Sequence, residues 1–398
     1  MIDLGLDRMS IMVNRLGLQK PASKIITVAG TNGKGSTAVA CEGLLMLSGA
    51  RVGTTLSPHL FRFNERIRLN GIEVDNEVLC AAFSAVEAER GGITLTYFEY
   101  SALVALWVFK LNTLDVVILE IGLGGRLDAF NVIDADVGII TSIGLDHQDF
   151  LGDNLESIGA EKAGILRLGQ QVVLGPDLPK SVHQRCEELQ IMPQIYGEVY
   201  AAQAESGHHG WCFKRGSSRL VGHLPWGQCA PQNLVLAYLA VQTFRPVTPE
   251  DLKAAAVTLK LPGRMQSMSF GSRTWMLDVA HNPAGAKFLV AQLKQRNVAP
   301  ALVVCGMLEG KDPTGLYAEI DGQFRVPWLL VSTAGERATS GQALKQALGP
   351  DPSISVCDWS VILGEVYSAT NEGDVILVLG SFNVVEQANQ ILSVIGQG

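Results

Sequence analysis

The stretch Ile25–Ser48, IITVAGTNGKGSTAVACEGLLMLS, decides the fold of this chain. Residues 25–29 are apolar and β-branched, which predicts a short buried strand. Residues 30–36 predict a turn, and residues 39–47 predict a helix that stops at Gly49. Strand, glycine turn and helix together form a cradle for phosphate, because glycines let backbone N–H groups approach an anion and the helix N-terminus adds partial positive charge.

The turn departs from the standard phosphate-binding spacing. Lys34 should reach the outer phosphates, and the hydroxyl of Ser36 or Thr37 could meet a metal ion. The standard pattern places Ser or Thr directly after Gly-Lys, whereas Gly35 intervenes here. An ordinary strand-to-helix turn that needs glycine for its shape is the alternative.

Composition excludes several classes of protein. A length of 398 residues suggests two or three domains, and a hydrophobic share of 47% suits a globular core. A net charge of -8 without a basic run argues against nucleic acid as a partner. The seven cysteines have no CxxC spacing, so neither zinc nor disulfides are indicated. No apolar run approaches the ~20 residues of a membrane span. An early acid at Asp3 argues against a signal peptide, so we expect a cytoplasmic protein with no membrane partner.

Strand and helix patterns alternate along the chain, which predicts an α/β protein with a parallel, doubly covered sheet. We predict an N-terminal domain over residues 1–262 that has a P-loop-type parallel sheet. It includes a small antiparallel β element at about 195–227, where the sequence changes to short segments with Gly, Ser and His. A C-terminal, Rossmann-like α/β domain is predicted over residues 263–398.

Several polar residues follow predicted strands of the first domain. Ser57, Glu120 and the pair Asp146-His147 each stand at a strand's carboxyl end. Ligands bind at that edge of open parallel sheets, and Mg²⁺ is commonly held by one or two protein groups plus phosphates. Together these positions suggest a magnesium–nucleotide site. Taken singly, an acid after a strand can be a helix cap, and a lone histidine is more often structural.

The chain resembles folylpolyglutamate synthases of the Mur ligase superfamily, and especially the bacterial bifunctional dihydrofolate synthase/folylpolyglutamate synthases. The resemblance covers almost the whole chain. It rests on eight motifs, GTNGKGST (30–37), SPHL (57–60), YFEY (97–100), LEIGLGGRLDA (119–129), TSIGLDH (141–147), EKAGI (161–165), PGR (262–264) and DVAHNPAG (278–285). In that superfamily glycine stands between the lysine and the hydroxyl residues, which accounts for the unusual spacing.

The resemblance implies an ATP-dependent ligase. ATP phosphorylates a substrate carboxylate, and the amine of L-glutamate then displaces phosphate from the acyl phosphate. The implied substrates are dihydropteroate, tetrahydrofolates and L-glutamate. The implied cofactors are ATP and two Mg²⁺ ions, with a monovalent cation such as K⁺ as a further option, and the implied state is a monomer.

The resemblance also implies roles for individual residues. The ATP-binding set is Asn32, Gly33, Lys34, Gly35, Asn233, Arg264 and Asp278. The metal set is Ser57, Glu120, His147, Ser36 and, once carbamylated, Lys162. The catalytic set is Lys34, Lys162 and His281, the last expected near the phosphates. The pterin set is Asp3, Leu4, Gly5, Phe98, Arg126 and Asp128.

Each of these roles has a plainer alternative. Lys162 could be a solvated helix lysine, Arg264 a surface linker arginine, and Phe98 a core aromatic. Phe130 stands where the family usually has threonine, which either alters substrate contacts or is a local packing change.

The sequence leaves three rival functions open. They are a folylpolyglutamate synthase without dihydropteroate activity, a cell-wall Mur ligase with a nucleotide-sugar substrate, and a non-enzymatic nucleotide switch. Asp3-Leu4-Gly5 favours the bifunctional form. Cell-wall Mur ligases usually carry a whole domain before the glycine loop. A switch would leave Lys162, Arg264 and His281 unexplained.

Overall fold

The computed structural model of the chain describes residues 3–205, 207 and 210–395, which form two compact units. The first unit contains residues 3–205 and 210–259. The second contains Gly207 and residues 260–395. Each unit has its own strands and helices in α/β order, as the alternating sequence pattern predicted.

The large sheet of the first unit has eight strands. They are β1 (Lys24–Ala29), β2 (Val52–Thr55), β3 (Ile67–Leu69), β4 (Ile72–Glu73), β5 (Val116–Glu120), β6 (Val137–Ile140), β7 (Gln171–Leu174) and β8 (Gln194–Ile195). Their order across the sheet is β4-β3-β2-β5-β1-β6-β7-β8. The six strands β2, β5, β1, β6, β7 and β8 run parallel to one another. Strand β3 pairs antiparallel with both β2 and β4. The sheet is therefore mixed, because an antiparallel hairpin extends its edge, with a turn at Asn70-Gly71, a dipeptide typical of such turns.

Nine α-helices, and two 3₁₀ helices at Phe63–Arg66 and Ala129–Val132, accompany the strands in the described part of the first unit. The α-helices are α1 (Asp7–Leu16), α2 (Lys34–Leu47), α3 (Asn76–Arg90), α4 (Tyr97–Leu111), α5 (Gln148–Leu151), α6 (Leu155–Ala163), α7 (Lys180–Glu188), α8 (Pro231–Val241) and α9 (Pro249–Thr258). The buried side chains of α1, α3 and α4 join those of the sheet in one core cluster.

The helix after the glycine loop differs from its prediction. Helix α2 begins at Lys34 rather than Val39, and Gly33 is its N-cap. It is buried nearly all round, because it packs against α8, α9 and the strands β2 and β5. Even Cys41 and Glu42 are enclosed, while Leu47 is exposed. A helix covered on several sides need not keep a single apolar face, so the apolar run over 39–47 marked only part of the helix.

Strand register brings the functional loops to one edge. In the parallel pair β1–β5, Val28 lies opposite Glu120. In the pair β1–β6, Ala29 lies opposite Ile140. The glycine loop after β1 therefore stands between the end of β5 and the loop after β6. This is the carboxyl edge where ligands bind in open parallel sheets.

A small antiparallel sheet completes the first unit, within the range predicted for it. Its strands β9 (Tyr200–Ala204), β10 (Trp211–Arg215) and β11 (Ser218–Leu224) lie in the order β11-β10-β9. Its buried side chains are Trp211, Cys212, Phe213, Val221 and Leu224, and the ring of Phe213 meets that of Tyr238 on α8 edge to face.

The second unit has a six-stranded sheet. Its strands are β12 (Gln266–Phe270), β13 (Arg273–Leu277), β14 (Leu302–Cys305), β15 (Trp328–Leu330), β16 (Ile354–Val356) and β17 (Val375–Leu379), in the order β12-β13-β17-β14-β15-β16. Its helices are α10 (Pro283–Gln295), α11 (Pro313–Phe324), α12 (Gly341–Leu348), α13 (Ile362–Ala369) and α14 (Phe382–Ile395). The alternating sequence pattern predicts strands at 275–279, 301–305, 328–332, 354–357 and 374–379, which match five of the six, and it misses β12. Strand β12 is an antiparallel edge strand with a polar sequence and no fully enclosed face.

Across the described residues, we find no helix that combines the length and the apolar character needed to cross a membrane.

A buried ion pair connects α2 to the edge hairpin. The carboxylate of Glu42 is almost fully buried and lies 2.9 Å from Nη2 of Arg68 on β3. Burial raises the pKa of Glu42, and the charge of Arg68 opposes that rise. Removing Arg68 would leave the carboxylate buried without its counter-charge.

We predict that Arg68→Met lowers the free energy of unfolding by about 3 kcal/mol, because breaking a buried pair by removing one partner costs roughly that much. Urea titration followed by circular dichroism measures the change. Arg62→Met is the control, since Arg62 forms an exposed pair with Glu73, and should change stability by less than about 1 kcal/mol. Equal losses in the two variants would contradict this account of the pair.

Candidate functional site

The glycine loop is fastened to the end of β6. The backbone N–H of Thr31 donates to the carbonyl of Ser142 at 2.7 Å. That of Asn32 donates to Ser142 Oγ at 3.1 Å, and Thr141 Oγ1 donates to the carbonyl of Asn32 at 2.7 Å. Side chains that follow β6 therefore fix the loop before any ligand binds.

Gly33 occupies a position that only glycine fits. Its φ is 84°, in the left-handed region, and a Cβ there would lie 2.9 Å from Oδ1 of Asn233. Asn233 is buried on α8. The predicted ATP-binding residues Asn233 and Gly33 are therefore adjacent in the structure, although 200 positions separate them in the sequence.

Lys34 folds back over the loop. Its Nζ donates to the carbonyls of Gly30 and Thr31 at 3.0 and 3.2 Å. The ammonium also acts electrostatically on Asp128 and Lys162. Three predicted site residues from separate motifs thus share one charged environment.

Asp128 is a buried carboxylate that organises the loop after β5. Its Oδ2 accepts hydrogen bonds from the N–H groups of Gly122 and Leu123 at 3.0 Å, and Oδ1 accepts one from Phe130 at 3.0 Å. Burial raises its pKa to about 6, although these three N–H groups and Lys34 favour the charged form. Loop geometry around β5 therefore depends on this side chain.

Lys162 is the most unusual of the predicted residues. It lies in the last turn of α6 with only 4% of its surface exposed. The alternative interpretation, that Lys162 is a solvated helix lysine, is therefore wrong. Burial lowers its pKa to about 7, helped by the charge of Lys34 and opposed by those of Asp146 and Asp128. A lysine with this pKa presents a substantial fraction of neutral amine at physiological pH, and neutral amines are nucleophiles.

The backbone beside Lys162 leaves no space for a side chain. A Cβ on Gly125 would lie 2.7 Å from the carbonyl oxygen of Glu161 and 2.9 Å from Cα of Lys162. Arg126 strengthens the contact between this loop and α6. Its backbone N–H donates to the Glu161 carbonyl at 2.8 Å, and its Nη2 lies 2.8 Å from Glu161 Oε1. The predicted pterin residue Arg126 is thus held by an acid next to Lys162.

A hydrogen bond connects two of the predicted metal ligands, Ser57 and Glu120. Glu120 is almost fully buried at the end of β5, and its Oε2 accepts from the N–H of Ser57 at 2.8 Å. Among the described residues, no group of three or more His, Cys, Asp and Glu side chains could hold a metal ion. One buried carboxylate beside a serine is a donor set that suits Mg²⁺, which takes its other ligands from phosphates and water.

His147 follows the same edge of the sheet. Its φ of 53° is left-handed, and its N–H donates to Asp146 Oδ1 at 2.9 Å. Its side chain is exposed, unlike that of Glu120. The charge of Asp146 also acts on Lys162, so Asp146 interacts with two of the predicted metal residues, His147 and Lys162.

Phe98 packs on the loop after β5. A Cβ on Gly122 would collide with its ring, and the ring of Phe130 meets it edge to face at 5.8 Å. Phe130 is buried in the core cluster, which favours local packing as the reason for its departure from threonine. Phe98 itself is half-buried, so part of its ring faces solvent.

The N-terminal segment of the pterin set is anchored near Phe98. Asp3 pairs with Arg8 Nη1 at 2.6 Å, and Arg8 Nε donates to the buried carboxylate of Glu99 at 3.0 Å. Leu4 and Gly5 are half-buried. The ion-pair chain therefore connects this segment to the first turn of α4.

Three predicted residues belong to the second unit. Asp278 follows β13 and accepts hydrogen bonds from the N–H groups of Met265 and Ala280, both at 2.9 Å. Burial raises its pKa, opposed first by Arg264, whose guanidinium lies 4.9 Å from the ring centre of Phe382. Nδ1 of His281 lies 2.8 Å from the carbonyl of Val279. Arg264, Asp278 and His281 are thus neighbours, and the first two interact through their charges.

Sequence reasoning missed the residues that position the site. Thr141, Ser142 and Glu161 lie inside quoted motifs, but no pattern showed that they support the glycine loop and the Lys162 helix. Their role depends on contacts between segments distant in sequence. Arg8 and Glu99 carried no signal beyond Glu99 standing in YFEY.

Comparison with known proteins places these residues among relatives. Residues 28–174 match the model of the Mur ligase middle domain, and residues 263–382 match that of the Mur ligase glutamate ligase domain. The dihydrofolate synthase/folylpolyglutamate synthase of Escherichia coli strain K12 is 39% identical over 397 residues, covering 98% of this chain and 92% of the relative.

Two solved structures are similar over nearly the whole chain. The E. coli FolC protein in complex with DHPP and ADP has a TM-score of 0.91 at 37% identity, covering 99% of this chain and 94% of that one. The bifunctional enzyme of Yersinia pestis complexed with AMPPNP and a Mn ion has a TM-score of 0.90 at 39% identity, covering 98% and 94%.

We predict that Gly125→Ala destabilises the first unit by about 1–3 kcal/mol, because the new methyl group overpacks against backbone that cannot rotate away. The measurement is urea unfolding. Gly92→Ala serves as the matched control, since its Cβ meets nothing within 4 Å and should change stability by less than about 0.5 kcal/mol. A Gly125→Ala protein as stable as wild type would show that the loop and α6 are not tightly packed.

Proposed function

The chain belongs to the dihydrofolate synthase/folylpolyglutamate synthases of the Mur ligase family, and we propose that Lys162 and its charged neighbours serve the activation step of the reaction. The protein is a bifunctional ligase that joins L-glutamate to folates at the expense of ATP. This closes the alternatives of a nucleotide switch and of a cell-wall Mur ligase.

The reaction has two steps with different requirements. A carboxylate oxygen of the pteroyl or folyl substrate attacks the γ-phosphorus of ATP, and ADP leaves. The amine of L-glutamate then attacks the carbonyl carbon of the acyl phosphate, loses a proton and expels phosphate as the amide forms. The first step needs neutralisation of negative charge, and the second needs proximity and exclusion of water.

The observation that carries the proposal is the environment of Lys162. Lys162 is buried and has a pKa of about 7, and the charges of Lys34, Asp146 and Asp128 act on it. A lysine with only a structural role does not need such an environment. Strongly perturbed groups of this kind cluster at functional sites. Within its motif, Lys162 stands at the position where the family has a carbamylated lysine.

Carbamylation fits this chemistry. The neutral amine of Lys162 adds to the carbon of CO₂ and releases a proton, which leaves a carbamate anion. The nearby ammonium of Lys34 favours that anion over the neutral amine. A cation that burial disfavours thus becomes an anion able to support a metal ion.

For ATP, we assign the phosphates to the glycine loop. Asn32, Gly33, Lys34 and Gly35 provide backbone N–H groups and one ammonium, and Asn233 against Gly33 would contact the nucleotide. In the second unit, Arg264 and Asp278 are the proposed ATP contacts, and His281 is proposed to lie near the phosphates.

For the metal, Ser57, Glu120 and His147 are the proposed ligands, with Ser36 and carbamylated Lys162 as further groups. Divalent metal and an ATP analogue are bound in the Y. pestis relative. Bound Mg²⁺ would neutralise charge on the phosphates during transfer. Two Mg²⁺ ions, and a monovalent cation such as K⁺, remain part of the proposal.

For the pteroyl group, we propose contacts from the segment Asp3-Leu4-Gly5, the half-buried ring of Phe98, and the loop containing Arg126 and Asp128. The exposed face of Phe98 suits a flat heterocycle. We further propose that residues 1–262 bind ATP, that residues 263–398 form the glutamate-ligase domain, and that the protein works as a cytoplasmic monomer.

A side-by-side assay tests the function. Purified protein with ATP and L-glutamate should release phosphate when either 7,8-dihydropteroate or tetrahydrofolate is added, and the products should gain one glutamate by mass. Phosphate release that needs neither acceptor would overturn the assignment. Release with tetrahydrofolate alone would restrict this chain to polyglutamylation.

We predict that Lys162→Ala lowers kcat at least 100-fold, because the anion that supports the metal is lost. The nucleotide Kd should change much less, since the loop is held by Thr141 and Ser142. Stopped assays and fluorescent nucleotide titration provide the two numbers. In the wild type, removing CO₂ should reduce activity and bicarbonate should restore it. Near-normal turnover in Lys162→Ala would remove the proposed role.

A further inference from the structure

The loop after β2 holds an arginine with no role in the sites described above. Nε of Arg66 donates to Nδ1 of His59 at 2.8 Å. The guanidinium carbon lies 5.7 Å from the ring centre of Phe63 and 5.4 Å from that of Tyr97. Because a guanidinium has only donors, Nδ1 of His59 must be the acceptor. One imidazole and two aromatic rings thus fix the orientation of Arg66.

Several hydrogen bonds hold the loop together. The carboxylate of Glu65 accepts hydrogen bonds from the backbone N–H groups of Leu60, Phe61 and Arg62 at 2.7 to 2.8 Å. The carbonyl of Arg66 accepts from the N–H of Leu56 at 3.1 Å, next to Ser57. The negative charge of Glu65 is therefore engaged by the loop, and Arg66 is positioned without a ligand.

The terminal nitrogens of Arg66 are available. Within the described residues, the bond to His59 is the only hydrogen bond that its side chain makes. Burial lowers its pKa, while the charges of Tyr97, Glu120 and Glu65 act in the opposite direction. The guanidinium nevertheless stays charged, because arginine does not deprotonate in proteins. A half-buried cation with two free nitrogens in one plane matches a carboxylate bidentately.

The position of Arg66 indicates which anion it meets. The ring of Tyr97, 5.4 Å from the guanidinium, belongs to the residue before the proposed pteroyl contact Phe98. The charge of Glu120, the proposed metal ligand, also acts on Arg66. A substrate that binds with its ring at Phe98 and its reacting end near Glu120 would place its carboxylate close to Arg66. Aromatic walls beside the guanidinium also suit an aryl carboxylate better than a triphosphate.

We propose that Arg66 binds the carboxylate of the pteroyl or folyl substrate through its two terminal nitrogens and positions it for phosphorylation. The assignment rests on the proposed function. His59, Phe63 and Tyr97 hold the guanidinium in place, and the substrate supplies the acceptor that it lacks.

The test compares two ligands that differ only in the carboxylate. Calorimetric titration, with ADP saturating, measures the affinity for 7,8-dihydropteroate and for its decarboxylated aniline analogue. The wild type should prefer the carboxylate by about 10- to 100-fold, the range for a hydrogen-bonded charge pair. In Arg66→Met the ratio should fall close to one, and in Arg66→Lys, which keeps the charge without the planar fork, it should be intermediate.

Arg62→Met is the matched control. Arg62 stands in the same loop but is exposed and paired with Glu73, so the preference should stay as in the wild type. Urea unfolding of each variant checks the fold, and Arg66→Lys keeps the test decisive if Arg66→Met does not fold.

Three outcomes would overturn the proposal. A folded Arg66→Met protein could keep the full preference for the carboxylate, or it could lose ADP affinity instead, which would assign Arg66 to the nucleotide phosphates. A wild type with no preference would also reject Arg66 as the carboxylate site. Failure of the wild type to bind either pterin ligand would instead reject the proposed function together with this inference.

Discussion

The site depends on one electrostatic constraint, the burial of the Lys162 amine beside a second lysine, Lys34. Burial and like charge both disfavour the ammonium form, and they lower its pKa to about 7. Asp146 and Asp128 oppose the shift without removing it. Tight backbone packing at Gly125 keeps the end of α6 in place. The chain therefore keeps the amine of Lys162 buried where an ordinary helix lysine would be solvated.

The parallel sheet is what brings these charges together. Strands β1, β5 and β6 are neighbours in register, so the glycine loop, Glu120 and the loop that carries Asp146 meet at one edge. Asp128 then shapes the loop after β5 through three backbone N–H groups. Substrate and phosphate sites can share that edge because the same strands support both. On the proposed assignment, Arg66 adds the group that recognises the substrate's own charge.

Local patterns predicted much of this arrangement. The β-branched run before the glycines predicts a strand at 25–29, and the structure has β1 at Lys24–Ala29. The apolar runs at 116–120 and 97–111 likewise coincide with β5 and α4. The start of α2 was misplaced because tertiary packing covers it on several sides. Strand β12 was missed because an edge strand can be polar on both faces. The burial of Lys162 and the aromatic setting of Arg66 arise from residues far apart in sequence, which no local pattern reveals.

The most direct test is the titration of Lys162 itself. Protein labelled with ¹³C at the lysine ε carbon, kept free of CO₂, is titrated by NMR, and the Lys162 resonance is assigned by its loss in Lys162→Ala. The account predicts a midpoint near pH 7, in keeping with the pKa of about 7 caused by burial. A midpoint at the ordinary lysine value of about 10.4 would contradict it, because the amine would then be a solvated cation.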